Sequence, residues 1–153
     1  MYREIISPAG IIILHSDGEL IKGLKFGNLP TGFDNSDCGV LLEAERQLSE
    51  YFARKRRVFE LPLGLEGTEF QLKVWSALLE VPRGQTRTYG EIAADIGNPK
   101  AARAVGMANN RNPVSIIVPC HRIIGKGGAL VGYGGGLHVK RLLLDIEEIS
   151  VSN

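Results

Sequence analysis

Cysteine is scarce: the 153 residues contain two, Cys38 and Cys120. They could form at most one bridge, which excludes a disulfide scaffold and fits a reducing, intracellular setting. Long apolar runs are missing, so no segment reaches the roughly 20 residues that span a bilayer. Met1-Tyr2-Arg3-Glu4 lacks the charged-then-apolar form of a secretory signal, and a cytoplasmic protein is expected. No internal repeat or low-complexity segment occurs. What remains is ordinary globular material, 44% apolar and 23% charged, enough for one domain or two small ones.

Net charge is also nearly absent, at +1, but the total hides an asymmetry. Residues 1–66 carry 8 Lys and Arg against 10 Asp and Glu, a net −2; residues 67–153 carry 10 against 7, a net +3. Between 81 and 141 the count is 9 against 2. That stretch contains Cys120 and suits a polyanionic partner, the alternative being a solvated basic surface.

The first half reads as three strands and a helix. Tyr2 to Ser7, Gly10 to Ser16 and Glu19 to Phe26 are short apolar runs, and Asp17-Gly18 between two of them is a hairpin signal. Leu41 to Arg54 has helical periodicity. The basic cluster Arg54-Lys55-Arg56-Arg57 is read as complementing the helix dipole rather than as a nucleic-acid patch, because aromatics are not interleaved with it. Val58 to Leu63 predicts a last strand, followed by a linker at Gly64 and Gly67. Two domains are expected, 1–66 and 67–153.

In the second half, Thr68 caps a predicted helix over Glu69 to Leu79, with Phe70, Val74, Trp75 and Leu78 on one side. Thr88-Tyr89-Gly90-Glu91 has capping-box form and starts a short helix that stops at Gly97. Asn98-Pro99 predicts a restart, with Asn as cap and Pro at the first helical position. The pair reads as a helix-turn-helix. Its second helix carries small residues (Ala101, Ala102, Ala104, Gly106, Ala108) beside the long basic Lys100 and Arg103. Small residues permit close approach, either to another helix or to DNA.

Ser115-Ile116-Ile117-Val118 predicts a short buried strand, and Pro119 stiffens the chain after it. Cys120 is then presented at the strand's end, where Arg122 and a charged His121 favour the thiolate. An isolated Cys-His pair is more often a structural cysteine beside a surface histidine.

Val118-Pro119-Cys120-His121-Arg122 resembles the active-site motif of the O6-alkylguanine-DNA alkyltransferases. So do Thr88 to Ala93, Asn98 to Gly106, Arg111-Asn112-Pro113 and Gly132 to Leu137, in order and at the right separations, over about Thr68 to Glu147. The resemblance implies an α+β chain: an N-terminal ribonuclease H-like domain with a small antiparallel sheet, and a mainly helical, winged-helix-like C-terminal domain containing the helix-turn-helix. It implies irreversible, stoichiometric transfer of an alkyl group from O6-alkylguanine in double-stranded DNA to Cys120, by a monomer that associates with the nucleoid through DNA. No cofactor or metal is implied; Cys38, His15, His121 and His138 lack zinc-ligand spacing.

The resemblance also implies roles for individual residues. Cys120 is the acceptor, His121 a base acting through water, and Glu147 its orienting acid. Asn112 holds the active-site turn, and Tyr89 assists departure of the guanine. Arg103 fills the gap left by a flipped base, with Lys100, Ala102 and Tyr89 also at the DNA. Tyr133, Gly134, Ile123 and Val118 form the base pocket, the carbonyls of Cys120 and Ile123 accepting from the base's exocyclic amine. Position 134 is serine in some members. Because Cys120 is present, the chain is not one of the relatives that lack the acceptor thiol. Two other readings share some features: a cysteine hydrolase, which leaves the helix-turn-helix unexplained, and a DNA-binding module that only marks lesions.

Overall fold

Short apolar runs broken by turn residues in the first 26 positions build a three-stranded antiparallel sheet. A computed structural model describes residues 1–150, and the chain divides into two compact units, Met1–Leu65 and Glu66–Asn153. In the first, β1 (Tyr2–Ser7), β2 (Gly10–Ser16) and β3 (Ile21–Phe26) lie in the order β1-β2-β3. Ile5 faces Ile12 and Leu14 faces Leu24 across the ladders. Asp17 makes the β2–β3 turn by accepting the Glu19 and Leu20 N–H groups at 2.9 and 2.8 Å. Helix α1 (Gly39–Phe52) buries Leu41, Ala44, Leu48 and Tyr51, and packs on β1 and β2.

Two expectations fail in this unit. Residues 58–63 do not form a strand; one isolated bridge joins Leu63 to Ile21. The buried Gln47 side chain takes the place of a neighbouring strand, donating to the Glu60 carbonyl (3.1 Å) and accepting its N–H (2.9 Å). The basic cluster lies beyond α1 rather than in its last turn. Arg54 leaves the helix at φ 62°, and Arg56 pairs with Glu50 at 2.8 Å and donates to the Val58 carbonyl.

The second unit is mainly helical. Helix α2 (Glu69–Leu79) starts from a Thr68–Gln71 capping box. It buries Val74, Trp75 and Leu78, and the Trp75 indole donates to the Ala108 carbonyl at 2.9 Å. A second capping box, Thr88–Glu91, starts α3 (Tyr89–Asp95). Just before it, β4 (Arg87–Thr88) pairs in parallel with β5 (Ile123–Ile124), so the start of α3 is tied to the residues after Cys120. Gly97 stops α3 at φ 81°, a conformation that favours glycine.

Helix α4 is Ala102–Asn110, shorter than expected. Asn98 and Pro99 do not begin it. Asn98 N–H closes the end of α3 on the Ala93 carbonyl, and its own carbonyl accepts from Ala101 N–H at 3.0 Å. Pro99 therefore occupies the second position of a β-turn, where its fixed φ serves equally well. Lys100 lies in that turn and Ala102 opens the helix. Helix α5 (Leu137–Ile146) completes the unit.

Candidate active site

The predicted strand before Cys120 is a chain of tight turns. Ile117 N–H bonds the Ser115 carbonyl at 2.8 Å around Ile116, whose φ is 72°. Positive φ at a buried β-branched residue is strained and is held only by its surroundings. Cys120 N–H bonds the Val118 carbonyl at 2.8 Å around Pro119, at φ −81° and ψ 63°, an inverse γ-turn. Cys120–Arg122 then form one turn of 3₁₀ helix. Apolar β-branched residues suggested a strand, yet proline's φ and the side chain of Asn112 decide otherwise. Asn112 Nδ2 donates to the Val118 carbonyl (2.8 Å), and its Oδ1 accepts the Val114 N–H (3.0 Å).

Cys120 is 5% exposed. Burial pushes its thiol up, against the opposing pull of hydrogen bonds from Asn112 and Ser115 and of the Lys140 charge. The expected resident thiolate is thus absent, because desolvation outweighs the nearby cations. Arg122 is not available to the sulfur in any case. Its Nε donates to Glu147 Oε1 at 2.7 Å and its Nη1 to the Val81 carbonyl at 2.6 Å.

Glu147, at the end of α5, is 2% exposed and also meets His121 Nε2 at 2.6 Å. Burial alone would raise its carboxyl. The hydrogen bonds and charges of His121 and Arg122 overcome this and hold it well below the usual carboxylate range. An ionised Glu147 accepts only, so Nε2 carries hydrogen. His121 is completely buried, and burial lowers its pKa despite Glu147. It is therefore a neutral imidazole with an Nδ1 lone pair, and Nδ1 has no hydrogen-bond partner among the described residues.

Tyr89, in the first turn of α3, packs its ring against Gly106 of α4, where a Cβ would stand 3.6 Å from the ring. Burial raises its phenol, which stays protonated, and ionisation of Cys120 would raise it further. Arg103 and Lys100 are exposed, and Ala102 is partly so. Val118 is fully buried, so its side chain packs inside the turn. Tyr133 is half-buried and Gly134 exposed, with open space where a Cβ would stand.

Lys140 was not singled out in the sequence. Its ammonium, inside the unit, donates to the carbonyls of Ile123 (2.5 Å), Val131 (2.8 Å) and Gly132 (3.5 Å). The Ile123 carbonyl expected to face the base thus already accepts one hydrogen bond, from Lys140. Burial lowers Lys140 to about 8, and ionisation of Cys120 would oppose this. The available signal was position: Lys140, Leu143, Leu144 and Glu147 share one helical face, and two charges on a leucine stripe are out of place on a solvated surface. Among the described residues, no group of three His, Cys, Asp or Glu could hold a metal, and no helix is long and apolar enough to cross a membrane.

Fold and site together define a helix-turn-helix unit built around a buried thiol, a neutral imidazole and an ionised carboxylate. The family model for the 6-O-methylguanine DNA methyltransferase DNA-binding domain matches residues 69–149. A methylated-DNA–protein-cysteine methyltransferase of Methanosarcina acetivorans is 53% identical, over 96% of this chain and 98% of that protein. One from Mycobacterium tuberculosis is 48% identical, over 96% and 92%. The solved structure of Mycobacterium tuberculosis OGT in complex with DNA superposes with a TM-score of 0.89 at 49% identity, covering 96% of this chain and 92% of that one. The chain belongs to the 6-O-methylguanine DNA methyltransferase family.

Proposed function

We propose that this protein repairs double-stranded DNA by moving the alkyl group of O6-alkylguanine onto Cys120, once and irreversibly. The observation that carries the reading is a buried thiol followed in the chain by a buried histidine whose Nε2 meets the Glu147 carboxylate at 2.6 Å. Such a site keeps its thiol quiet until a substrate arrives. The sulfur then attacks the alkyl carbon, an S–C bond forms, and the C–O6 bond breaks with its electron pair going to guanine. The thiol proton leaves through water to His121 Nδ1, and the imidazolium is stabilised against Glu147. Tyr89, held in the phenol form, gives a proton to the departing guanine.

The product is a thioether, which has no easy hydrolytic exit. A buried sulfur cannot reach an atom inside stacked duplex, so the base must leave the helix. We assign the gap-filling role to the exposed Arg103, with Lys100 and Ala102 at the backbone. Tyr133, Gly134 and Ile123 line the pocket, Val118 supporting it from behind. Asn112 is a positioning residue for the turn. In this reading residues 1–66 form a ribonuclease H-like domain and residues 67–153 a winged-helix-like, DNA-binding domain, and the protein acts as a cytoplasmic monomer.

The test is a mass spectrum after incubation with duplex DNA containing O6-methylguanine. One methyl is expected on the peptide carrying Cys120, and Cys120→Ala is expected to bind the duplex and gain nothing. An unchanged mass in folded, DNA-bound protein overturns the reading.

A further inference from the structure

Helix α4 turns one polar side chain inward. Val105, Ala108 and Asn109 form its buried face, and Asn109 is 3% exposed. An amide at a position whose spacing belongs to the core is expected to be fully hydrogen-bonded. Asn109 is not: Nδ2 reaches the Cys120 carbonyl only at 3.5 Å, and Oδ1 has no partner among the described residues. The orientation of the amide is dictated by that carbonyl, which can only accept.

The other buried orphan attached to the same peptide is His121 Nδ1. Both orphans are acceptors, because Nε2 of His121 donates to Glu147. Two acceptors cannot satisfy each other. A water molecule can satisfy both, with one hydrogen for each, and its lone pair then accepts from a third group. The residue between them, whose carbonyl Asn109 approaches and which His121 follows in the chain, is Cys120, and its thiol is the donor we assign.

Resting on the alkyl-transfer reading above, we infer that Asn109 is a positioning residue that holds, with His121, the water through which Cys120 loses its proton. In the step, the S–H proton passes to the water oxygen while a water proton passes to His121 Nδ1. The water is regenerated, the sulfur becomes thiolate and the imidazole becomes imidazolium. Asn109 Oδ1 takes no proton; it fixes the water's second hydrogen and so its orientation. The charged and titratable groups facing this cluster are Glu147 and Lys140 from α5, Arg122 from the 3₁₀ turn and Tyr89 from α3. None of them reaches either orphan atom by a hydrogen bond. Asn109 sits on α4, so the helix assigned to DNA also carries one end of the proton path.

The experiment measures single-turnover methyl transfer from O6-methylguanine duplex against pH, for wild type, Asn109→Leu, His121→Gln and the double variant. Iodoacetamide labelling of Cys120, read by peptide mass, is a DNA-free arm. Asn109→Leu is expected to slow both reactions about tenfold at pH 7, the equivalent of one neutral hydrogen bond. The loss should shrink as rising pH ionises the thiol directly, with duplex affinity unchanged. Added to His121→Gln, it should bring no further loss. A deficit that is the same at every pH, or that multiplies with His121→Gln, overturns the inference. Should Asn109→Leu fail to fold by Trp75 emission, Asn109→Ala faces the same criteria. Wild type that gains no methyl overturns the alkyl-transfer reading itself; wild type that is methylated, with Asn109→Leu equally fast at pH 7, overturns only this one.

Discussion

Charged side chains are placed differently in the two units. In the first, Arg46 lies across the outside of α1, bound to Glu43 and to Glu50 at 3.0 Å, all in contact with solvent. The core beneath is aliphatic and aromatic apart from the hydrogen-bonded, uncharged Gln47 and Ser16. In the second, Arg122, Lys140 and Glu147 are inside, 8%, 0% and 2% exposed, alongside the buried His121. Exposed pairs gain little because water already solvates both partners. Buried charges are expensive unless every one is partnered, and a cluster of them specifies one arrangement of the chain around it. The regular unit needs no such cluster, whereas the turns around Cys120 have few backbone ladders to hold them.

The largest effect should come from Glu147→Ala. It leaves the Arg122 guanidinium buried and half-paired, and frees His121 to rotate. Breaking a buried pair in this way costs about 3–5 kcal/mol. Trp75 is the chain's only tryptophan and lies in the second unit, so urea unfolding followed by its emission reads this unit. An unchanged midpoint would remove the contrast between the units.

Lys140→Met sharpens the comparison through the two cysteines. Removing a cation that pulls the Cys120 thiol down should slow its labelling by iodoacetamide at neutral pH about threefold to tenfold, corresponding to about half to one pH unit. Cys38, in the first unit, donates to the Gly18 carbonyl at the start of α1 and serves as the control. Equal slowing of both cysteines would argue for general unfolding.

The units should also respond differently to acid. His121 is held below its ordinary value, so below about pH 6.5 the unfolded chain binds the extra proton first. Stability of the second unit is therefore full above about pH 6.5 and declines as pH falls through that value. Glu147, held low, keeps its contribution above about pH 4.3 and loses it only in stronger acid. The Trp75-monitored midpoint at pH 5 should lie below that at pH 8, and His121→Gln should narrow the gap. The smallest effect belongs to Arg46→Ala, whose partners remain solvated. No measurable change is expected in the labelling of Cys38, which reports on that unit, and a clear rise would mean that surface pairs matter here as much as buried ones.

Regular elements were legible from local rules. The apolar runs in Tyr2–Ser7 and Gly10–Ser16, the Asp17-Gly18 turn and the capping boxes at Thr68 and Thr88 each depend on residues within a few positions of one another. The motif around Cys120 was legible as chemistry, since a cysteine, a histidine and an ordered set of companions mark a site whatever shape the backbone takes. The shape was not legible. Ser115–Val118 satisfies every local preference for a strand, but Asn112 bonds and the Pro119 turn fold it otherwise. Asn98-Pro99 fits a helix start and a β-turn equally well, and only the closure of α3 on Asn98 chooses between them.

The amino-acid order thus determined by itself which elements form and which residues bear the chemistry, because those properties arise from neighbours along the chain. The tertiary structure alone decided that Cys120 rests as a thiol, that Arg122 serves Glu147 rather than the sulfur, and that Lys140 and Asn109 face inward. Desolvation and long-range partners set those properties, and neither exists until distant segments close around the same few atoms.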